Sequence, residues 1–268
     1  MSERLLEPRA LDLLLRRNKT LVVDLSSAAT YVQYHIPGAV YLNYEWIVHA
    51  EPPRMGLLPA STQLVNVFSS LGITAETHVI AYDDEGGGRA CRFLWTLDCA
   101  GHKHFSLLNG GLQCWTNEGY AVSSNIQWPI PAGFTYRHNA KPLADRQYIL
   151  EHLNHEDVVI LDTRSPQEYS GAKVFAQRAG HIPGAVNFEW TEAMDTSRHL
   201  RLKPDAELRD MLAAKGIHPD KEVITHCQSH HRSAHTYIML KHLGFEKVRG
   251  YPGSWSDWGN DPTTPVEN

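Results

Sequence analysis

The chain has 268 residues, 42% of them hydrophobic, which is enough for one large domain or two domains of ordinary size. Its formal net charge is -5, and acidic and basic residues are interleaved without a basic tail or stripe, so nucleic acid is excluded as an expected partner. No run of about 18 apolar residues occurs, and residues 1–20 mix acidic residues with arginines, so we expect no membrane span, signal peptide or transit peptide.

The first half of the chain contains two short apolar runs, at residues 21–24 and 79–82, which predict strands buried on both faces of a parallel sheet. Between them lie the hexapeptide His-Ile-Pro-Gly-Ala-Val at residues 35–40 and a helix-like stretch that begins at residue 59. An acidic, glycine-rich loop, Asp-Asp-Glu-Gly-Gly-Gly, follows the second strand at residues 83–88. The order of these elements is typical of an α/β domain.

The second half repeats the first. The same hexapeptide returns letter for letter at residues 181–186, at an offset of 146 residues. Residues 204–227 then parallel residues 59–83 in pattern and spacing, and each stretch carries a Gly-Ile pair followed by an apolar run. Because order and spacing are both preserved, we predict two homologous halves.

Each half therefore predicts one α/β domain, a mostly parallel sheet covered by helices on both faces, with ligands bound beyond the carboxyl ends of the strands. The proline- and glycine-rich segment at residues 129–141 predicts an interdomain linker. The predicted domains are residues 1–128 and residues 142–268.

The loop at residues 226–233, His-Cys-Gln-Ser-His-His-Arg-Ser, follows a predicted strand and precedes a predicted helix that Gly244 ends. Backbone N–H groups of such a loop converge, and together with the helix dipole they favour a negative charge, so we expect the Cys227 thiol to ionise easily. An inert buried cysteine is the alternative, and the polar loop disfavours it. The other three cysteines, Cys91, Cys99 and Cys114, are predicted to be packing residues in a reducing, cytoplasmic compartment.

These features resemble the rhodanese family. The resemblance covers both hexapeptides, the segment Leu-Asp-Thr-Arg-Ser-Pro at residues 161–166, the cysteine loop, and Gly-Tyr-Pro-Gly-Ser-Trp at residues 250–255. The loop Cys-Gln-Ser-His-His-Arg looks like that of certain bacterial tandem-domain members. The resemblance implies that Cys227 is the nucleophile of a sulfurtransferase, and that the first domain, with Asp83 in the place of Cys227, is catalytically silent.

The implied reaction moves a sulfane sulfur from thiosulfate, or another small anionic donor, through a Cys227 persulfide to cyanide or a thiol acceptor that can be a protein thiol. It requires no metal and no organic cofactor. We expect Arg232 to act on the donor more than on the fold. The predicted donor-binding residues are Arg232, His230, His231, Gln228 and Ser229, and the predicted supporting residues are Arg164, Asp162 and Ser233.

Four alternatives remain open at this point. A phosphatase loop has five residues between its Cys and Arg, whereas Cys227 and Arg232 enclose four, which disfavours that chemistry. The dense histidines favour a zinc site, but no second cysteine lies nearby; the residues concerned are His226, Cys227, His230, His231 and His235. A non-catalytic persulfide carrier or binding module is the third alternative.

The fourth alternative is a 3-mercaptopyruvate sulfurtransferase. Relatives of that kind hold the donor carboxylate with two arginines between the Asp-x-Arg strand end and the second hexapeptide. In that segment Arg178 can replace one arginine, but Ser170 falls where the other would be, and Glu168 would repel a carboxylate. We therefore predict a preference for thiosulfate.

Overall fold

The structure, a computed structural model, describes residues 4–16 and 20–268, so part of the N-terminal segment interpreted above lies outside the described residues. The chain divides into two compact units, and neither is continuous in sequence. The first unit contains the described part of Met1–Val48 together with Pro59–Asn139 and Met194–Leu202, and the second contains His49–Leu58, Ala140–Ala193 and Lys203–Asn268. The limits that the sequence suggests, 1–128, 129–141 and 142–268, stay a prediction.

Short strands alternate with helices along the whole described chain. The elements of the first half are β1 (Leu5–Leu6), α1 (Pro8–Leu15), β2 (Thr20–Asp24), α2 (Ala28–Gln33), β3 (Val40–Tyr41), a 3-10 helix (Tyr44–Ile47), β4 (His49–Glu51), β5 (Arg54–Leu57), α3 (Ser61–Ser70), β6 (His78–Tyr82), α4 (Gly88–Cys99), β7 (Phe105–Leu108) and α5 (Gly111–Asn117).

The second half has the same alternation. Its elements are α6 (Arg146–Glu151), β8 (Val158–Asp162), α7 (Pro166–Tyr169), β9 (Val186–Asn187), two 3-10 helices (Trp190–Ala193 and Thr196–Arg198) flanking β10 (Met194–Asp195), then β11 (Arg201–Leu202), α8 (Asp205–Ala213), β12 (Glu222–His226), α9 (Arg232–His242), β13 (Val248–Gly250) and α10 (Ser254–Trp258).

The first unit is built on a five-stranded sheet in the order β1-β7-β6-β2-β3, in which every ladder is parallel. At its centre Val22 of β2 lies opposite Ile80 of β6, and both side chains are buried. The apolar, β-branched composition of these strands follows from their position, since helices cover both faces of the sheet. The predicted α/β class with two homologous domains is confirmed.

The second unit has a four-stranded parallel sheet in the order β13-β12-β8-β9. Ile160 and Ile224 lie opposite each other in its two central strands and pack into a core that contains the fully buried indoles of Trp255 and Trp258. The antiparallel pair β4–β5 belongs to this unit. None of the described helices is long and apolar enough to span a lipid bilayer.

Candidate active site

The candidate site lies at the carboxyl end of β12. That strand ends at His226, α9 begins at Arg232, and Cys227 opens the loop between them with 1% of its surface exposed. Asp162, the last residue of β8, pairs in register with His226, so the carboxyl ends of the two central strands lie side by side. The loop thus occupies the edge of the sheet at which parallel α/β folds bind ligands.

The surroundings of Cys227 stabilise a thiolate. Burial by itself raises the pKa of the thiol, but the charge of Arg232 and hydrogen bonds from the Ser233 hydroxyl and amide and from the Ser229 amide outweigh it. The net effect lowers the pKa of Cys227 from 9.0 to about 7. At neutral pH a large fraction of the sulfur is therefore anionic and nucleophilic. The expectation of easy ionisation agrees with this geometry.

Arg232 is held by a buried carboxylate. Its Nη1 and Nη2 atoms donate to Glu168 Oε2 and Oε1 at 2.7 and 2.9 Å, and Glu168 is only 4% exposed. Glu168 also completes a capping box with Ser165 at the start of α7. Although burial opposes ionisation, the bonds and charge of Arg232 and the bonds from Ser165 lower the pKa of Glu168 to about 2. The carboxylate predicted to repel a donor is thus balanced by Arg232.

The other loop side chains face different neighbours. His230 is fully buried with a φ of 54°, and its Nδ1 lies 2.7 Å from Ser233 Oγ. The His231 ring is tilted by 55° against the Trp190 ring, with ring centroids 5.9 Å apart. Gln228 Nε2 donates to the carbonyl of Phe175 at 3.2 Å. The structure therefore brings the predicted residues together in one loop. Their roles in donor binding stay predictions.

A buried ion pair lies beneath the loop. Arg164 donates to Asp162 through Nη2 at 2.6 Å and through Nε at 3.0 Å, and its guanidinium lies 4.4 Å from the Trp255 ring. His226 Nε2 is 3.7 Å from Asp162 Oδ2. Burial lowers the pKa of His226 to about 4 despite the Asp162 charge, so this imidazole is neutral at pH 7. Asp162 and Arg164, two of the predicted supporting residues, thus form an ion pair, and their supporting role stays a prediction.

Two segments that sequence reasoning did not assign to the site pack against the loop. The hydroxyl of Ser254 accepts the backbone N–H of Cys227 at 3.2 Å and that of His230 at 3.1 Å. At Gly56, in β5, a Cβ atom would lie 2.0 Å from the carbonyl oxygen of Ser229, so only glycine allows this approach. The Gly-Ser-Trp segment was quoted above only as part of the resemblance, and nothing in the local sequence marks Gly56.

A surface pocket of about 450 Å³ opens beside the loop, lined by Glu168, Lys173, Phe175, Gln228 and Arg232. Sequence reasoning named neither Lys173 nor Phe175. The Lys173 ammonium lies 4.9 Å from the centre of the Phe175 ring, and within residues 4–16 and 20–268 no carboxylate pairs with it. Lys173 is thus a cation at the pocket whose charge is not balanced by an ion pair in the described structure.

Comparison with known proteins fixes the family. The family model described as "Rhodanese-like domain" matches the chain twice, at residues 7–118 and 145–261. The chain belongs to the rhodanese family. It is 46% identical to the thiosulfate sulfurtransferase of Pseudomonas aeruginosa and 47% identical to that of Azotobacter vinelandii, each over 98% of this chain and 96% of the relative.

Two further proteins resemble this chain, one in sequence and one in structure. The sulfur carrier protein TtuD of Thermus thermophilus is 32% identical over 87% of this chain and 85% of its own length. Among solved structures, the anaerobic ergothioneine biosynthesis enzyme of Chlorobium limicola in complex with trimethyl histidine matches 99% of this chain and 70% of its own, with a TM-score of 0.89 and 25% identity. The tandem rhodanese architecture is therefore established.

The first rhodanese unit carries Asp83 where the second carries Cys227. Asp83 is fully buried, and its carboxylate accepts the N–H groups of Glu85 at 3.0 Å, Gly87 at 2.7 Å and Ala90 at 2.9 Å. Glu85 lies two residues after Asp83, as Ser229 does after Cys227. In each loop the backbone N–H at this position donates to the side chain of the first loop residue. Burial, with the Glu85 charge, raises the pKa of Asp83 to about 6.

The histidines of the second unit do not converge on a metal. In the described portions of the chain, no three His, Cys, Asp or Glu side chains form a group that could hold a metal ion. His235, one of the candidates for a zinc site, is buried against Trp190 in an edge-to-face contact at 5.5 Å. Burial lowers the pKa of His235 to about 4, as expected of a packed, neutral imidazole.

Proposed function

We propose that the chain is a thiosulfate sulfurtransferase in which Cys227 carries the sulfur. The observation that carries the proposal is the combination of a thiol at the carboxyl end of a central strand, a pKa of about 7, and an adjacent pocket lined by Arg232 and Lys173. The near-full-length similarity to two thiosulfate sulfurtransferases supports it. The other three cysteines are buried, and burial raises the pKa of each, so none of them offers a thiolate.

In the first half-reaction, the Cys227 thiolate attacks the outer sulfur of thiosulfate. A new S–S bond forms while the bond inside thiosulfate breaks, and sulfite leaves with the electron pair. In the second half-reaction, cyanide attacks the outer sulfur of the persulfide, thiocyanate leaves, and the thiolate is restored. A thiol acceptor would instead leave with the sulfur as its own persulfide. No net oxidation occurs in either step.

The loop stabilises the anionic sulfur in both states. Amides of Ser229 and Ser233 point at the Cys227 sulfur, and we propose that the same fixed dipoles attract the outer sulfur of the persulfide anion. Arg232 adds a positive charge whose position is fixed by its bidentate contact with Glu168. We assign to Lys173 the sulfonate end of the donor, because it is the cation of the pocket without a carboxylate partner.

The proposed preference for thiosulfate over 3-mercaptopyruvate rests on the contacts of Arg178. Arg178, the one arginine that matches the mercaptopyruvate pattern, donates through Nη1 and Nη2 to the carbonyls of Thr264 at 2.5 Å, Trp258 at 2.6 Å and Asp261, so both terminal nitrogens are committed to the C-terminal segment. It does not line the pocket beside the loop. A carboxylate donor would lack a bidentate clamp, which supports thiosulfate over 3-mercaptopyruvate.

The test of the proposal is intact mass spectrometry combined with a turnover assay. Purified protein treated with thiosulfate should gain one sulfur atom, and cyanide should remove it with one equivalent of thiocyanate. Absence of any thiosulfate-dependent sulfur on the wild-type protein would contradict the proposed function.

A sulfur carrier is the second candidate function, favoured by the similarity to the carrier protein of Thermus thermophilus. A carrier would be loaded by another protein and not by thiosulfate, and it would hand its sulfur to a protein thiol. Steady-state thiocyanate formation distinguishes the two, because an enzyme continues beyond one equivalent and a carrier stops there. We also propose a cytoplasmic location, where a reducing environment keeps the four free cysteines as thiols.

A further inference from the structure

Ser254 has a backbone conformation that serine seldom adopts. It is fully buried, it is the first residue of α10, and its φ is 51°, in the left-handed region that glycine occupies at no steric cost. A side chain held there costs free energy that a glycine would not, and such residues persist where the surroundings impose them, often at functional sites. A serine at this position therefore suggests that its hydroxyl group makes contacts that a glycine could not make.

That hydroxyl is bonded to the loop on one side and to its own turn on the other. It accepts the N–H of Cys227 at 3.2 Å and the N–H of His230 at 3.1 Å, and it donates to the carbonyl of Tyr251 at 2.7 Å. All of these groups are buried, so no bulk water substitutes for the serine oxygen. With two loop amides turned toward Ser254, the amides of Ser229 and Ser233 are the ones that bind the sulfur.

The first unit provides an internal comparison. There the N–H of Leu112 donates to the carbonyl of Asp83 at 2.9 Å, just as the N–H of Trp255 donates to the carbonyl of Cys227 at 2.9 Å. The residue that corresponds to Ser254 is therefore Gly111, which has nearly the same φ of 53°. The unit without the cysteine has glycine at this position, and the unit with the cysteine has a strained serine.

We propose that Ser254 is a positioning residue for Cys227: by holding the amides of Cys227 and His230, it fixes the loop in the conformation that turns the other amides toward the sulfur. The inference rests on the proposed role of Cys227 as the sulfur-carrying thiolate. Ser254 touches neither donor nor acceptor in this scheme. Its effect is measured on the ionisation of Cys227.

The test compares S254G with wild type. S254G installs the residue of the first unit and relieves the strain, but it also removes the acceptor of two buried amides, so we expect a folded protein with a thermal stability slightly below that of wild type. The pKa of Cys227, measured from the pH dependence of alkylation, should rise by about one unit, which at pH 7 cuts the thiolate fraction roughly fivefold. The first-order rate of sulfur loading from thiosulfate should fall by a similar factor.

Two more variants complete the design. S254A keeps the Cβ and its strain but loses the hydroxyl, so it should show the same pKa shift as S254G together with lower stability. S256A is the matched control, because its buried hydroxyl belongs to the same helix but bonds Gly253 and Met55 instead of the loop. It should leave the pKa of Cys227 unchanged.

A titration of Cys227 in S254G that superimposes on the wild-type curve would overturn the inference, and so would loss of the folded state in both S254G and S254A. The alkylation readout does not depend on any sulfur donor. If wild type takes no sulfur from thiosulfate while S254G still shifts the pKa, the proposed function fails and the role of Ser254 stands.

Discussion

The Arg232–Glu168 pair predicts that Arg232→Gln reduces stability and activity for separable reasons. Removing the guanidinium leaves the Glu168 carboxylate, 4% exposed, without its charged partner. Burial raises the pKa of Glu168, but the bonds and charge of Arg232, with the bonds from Ser165, lower it from 4.5 to about 2, and that difference corresponds to about 3 kcal/mol of unfolding free energy at pH 7. This is of the size expected when one partner of a buried ion pair is deleted.

Urea denaturation at pH 7 measures the loss in Arg232→Gln and its recovery in the double variant Arg232→Gln, Glu168→Gln. The double variant contains two neutral amides that can bond each other, so it should regain most of the stability but not the activity. Its Cys227 pKa should stay above 7, because the positive charge near the sulfur is absent. If the double variant regains activity in step with stability, Arg232 supports only the fold, and the reasoning is refuted.

The Arg232–Glu168 pair also predicts how the stability of the protein changes at low pH. Because the pKa of Glu168 is lower in the folded state than in the unfolded state, its contribution is complete above about pH 4.5 and is lost as the pH falls toward 2. The difference in stability between wild type and Arg232→Gln should therefore shrink over that window. A difference that stays constant from pH 7 to pH 3 would show that Glu168 is not the group responsible.

Further predictions concern the thiol and its pocket. Cys227→Ser should take up no sulfur from thiosulfate, and a stoichiometric sulfur found on this variant by intact mass would contradict the assignment. Alkylation of wild-type Cys227 should be half-maximal near pH 7 and should decline as the pH falls and the thiolate is protonated; a midpoint near pH 9 would refute the stabilisation described here. Lys173→Gln should raise the KM for thiosulfate about tenfold with little change in kcat. Lys173→Arg keeps the positive charge and should have a KM close to that of wild type. The control Lys221→Gln, whose ammonium contacts Asp157 and the Glu156 carbonyl instead, should match wild type, and an unchanged KM in Lys173→Gln would remove that residue from the donor site. With cyanide as the common acceptor, thiosulfate should be used more efficiently than 3-mercaptopyruvate, and a tenfold advantage for the latter would show the reading of Arg178 to be wrong.

The parts of the fold that could be predicted are those encoded locally. The apolar runs at residues 79–82 and 223–225 lie within β6 and β12, because strands buried on both faces need apolar, β-branched side chains along their length. Gly244, with a φ of 85°, follows the last turn of α9, as the predicted C-cap requires. The repeated hexapeptide identified the tandem architecture, since spacing is preserved when a domain is duplicated.

The parts that could not be predicted depend on contacts between distant residues. Glu168 and Arg232 are 64 residues apart, and only the folded sheet shows that the carboxylate forms a bidentate ion pair with the guanidinium. The hairpin that carries Gly56 lies in the first half of the sequence but belongs to the second unit. Period and composition describe single elements, so neither relation leaves a local signal.

The corresponding loops of the two units use their backbone amides differently. In the first unit the Asp83 carboxylate accepts three backbone amides, so the amides that could bind an external anion are already bound to an internal one. In the second unit the sulfur of Cys227 is the group to which amides, a hydroxyl and Arg232 are directed, and a persulfide extends that same anion by one atom. The predicted silence of the first unit thus has a second physical reason besides the missing cysteine, because these amides already bind the Asp83 carboxylate. Restoring a thiol there by Asp83→Cys would free the amides but would still leave Gly88 at the position of Arg232 and Gly111 at that of Ser254. A thiol at residue 83 would thus lack both the charge and the positioning hydroxyl that make Cys227 acidic.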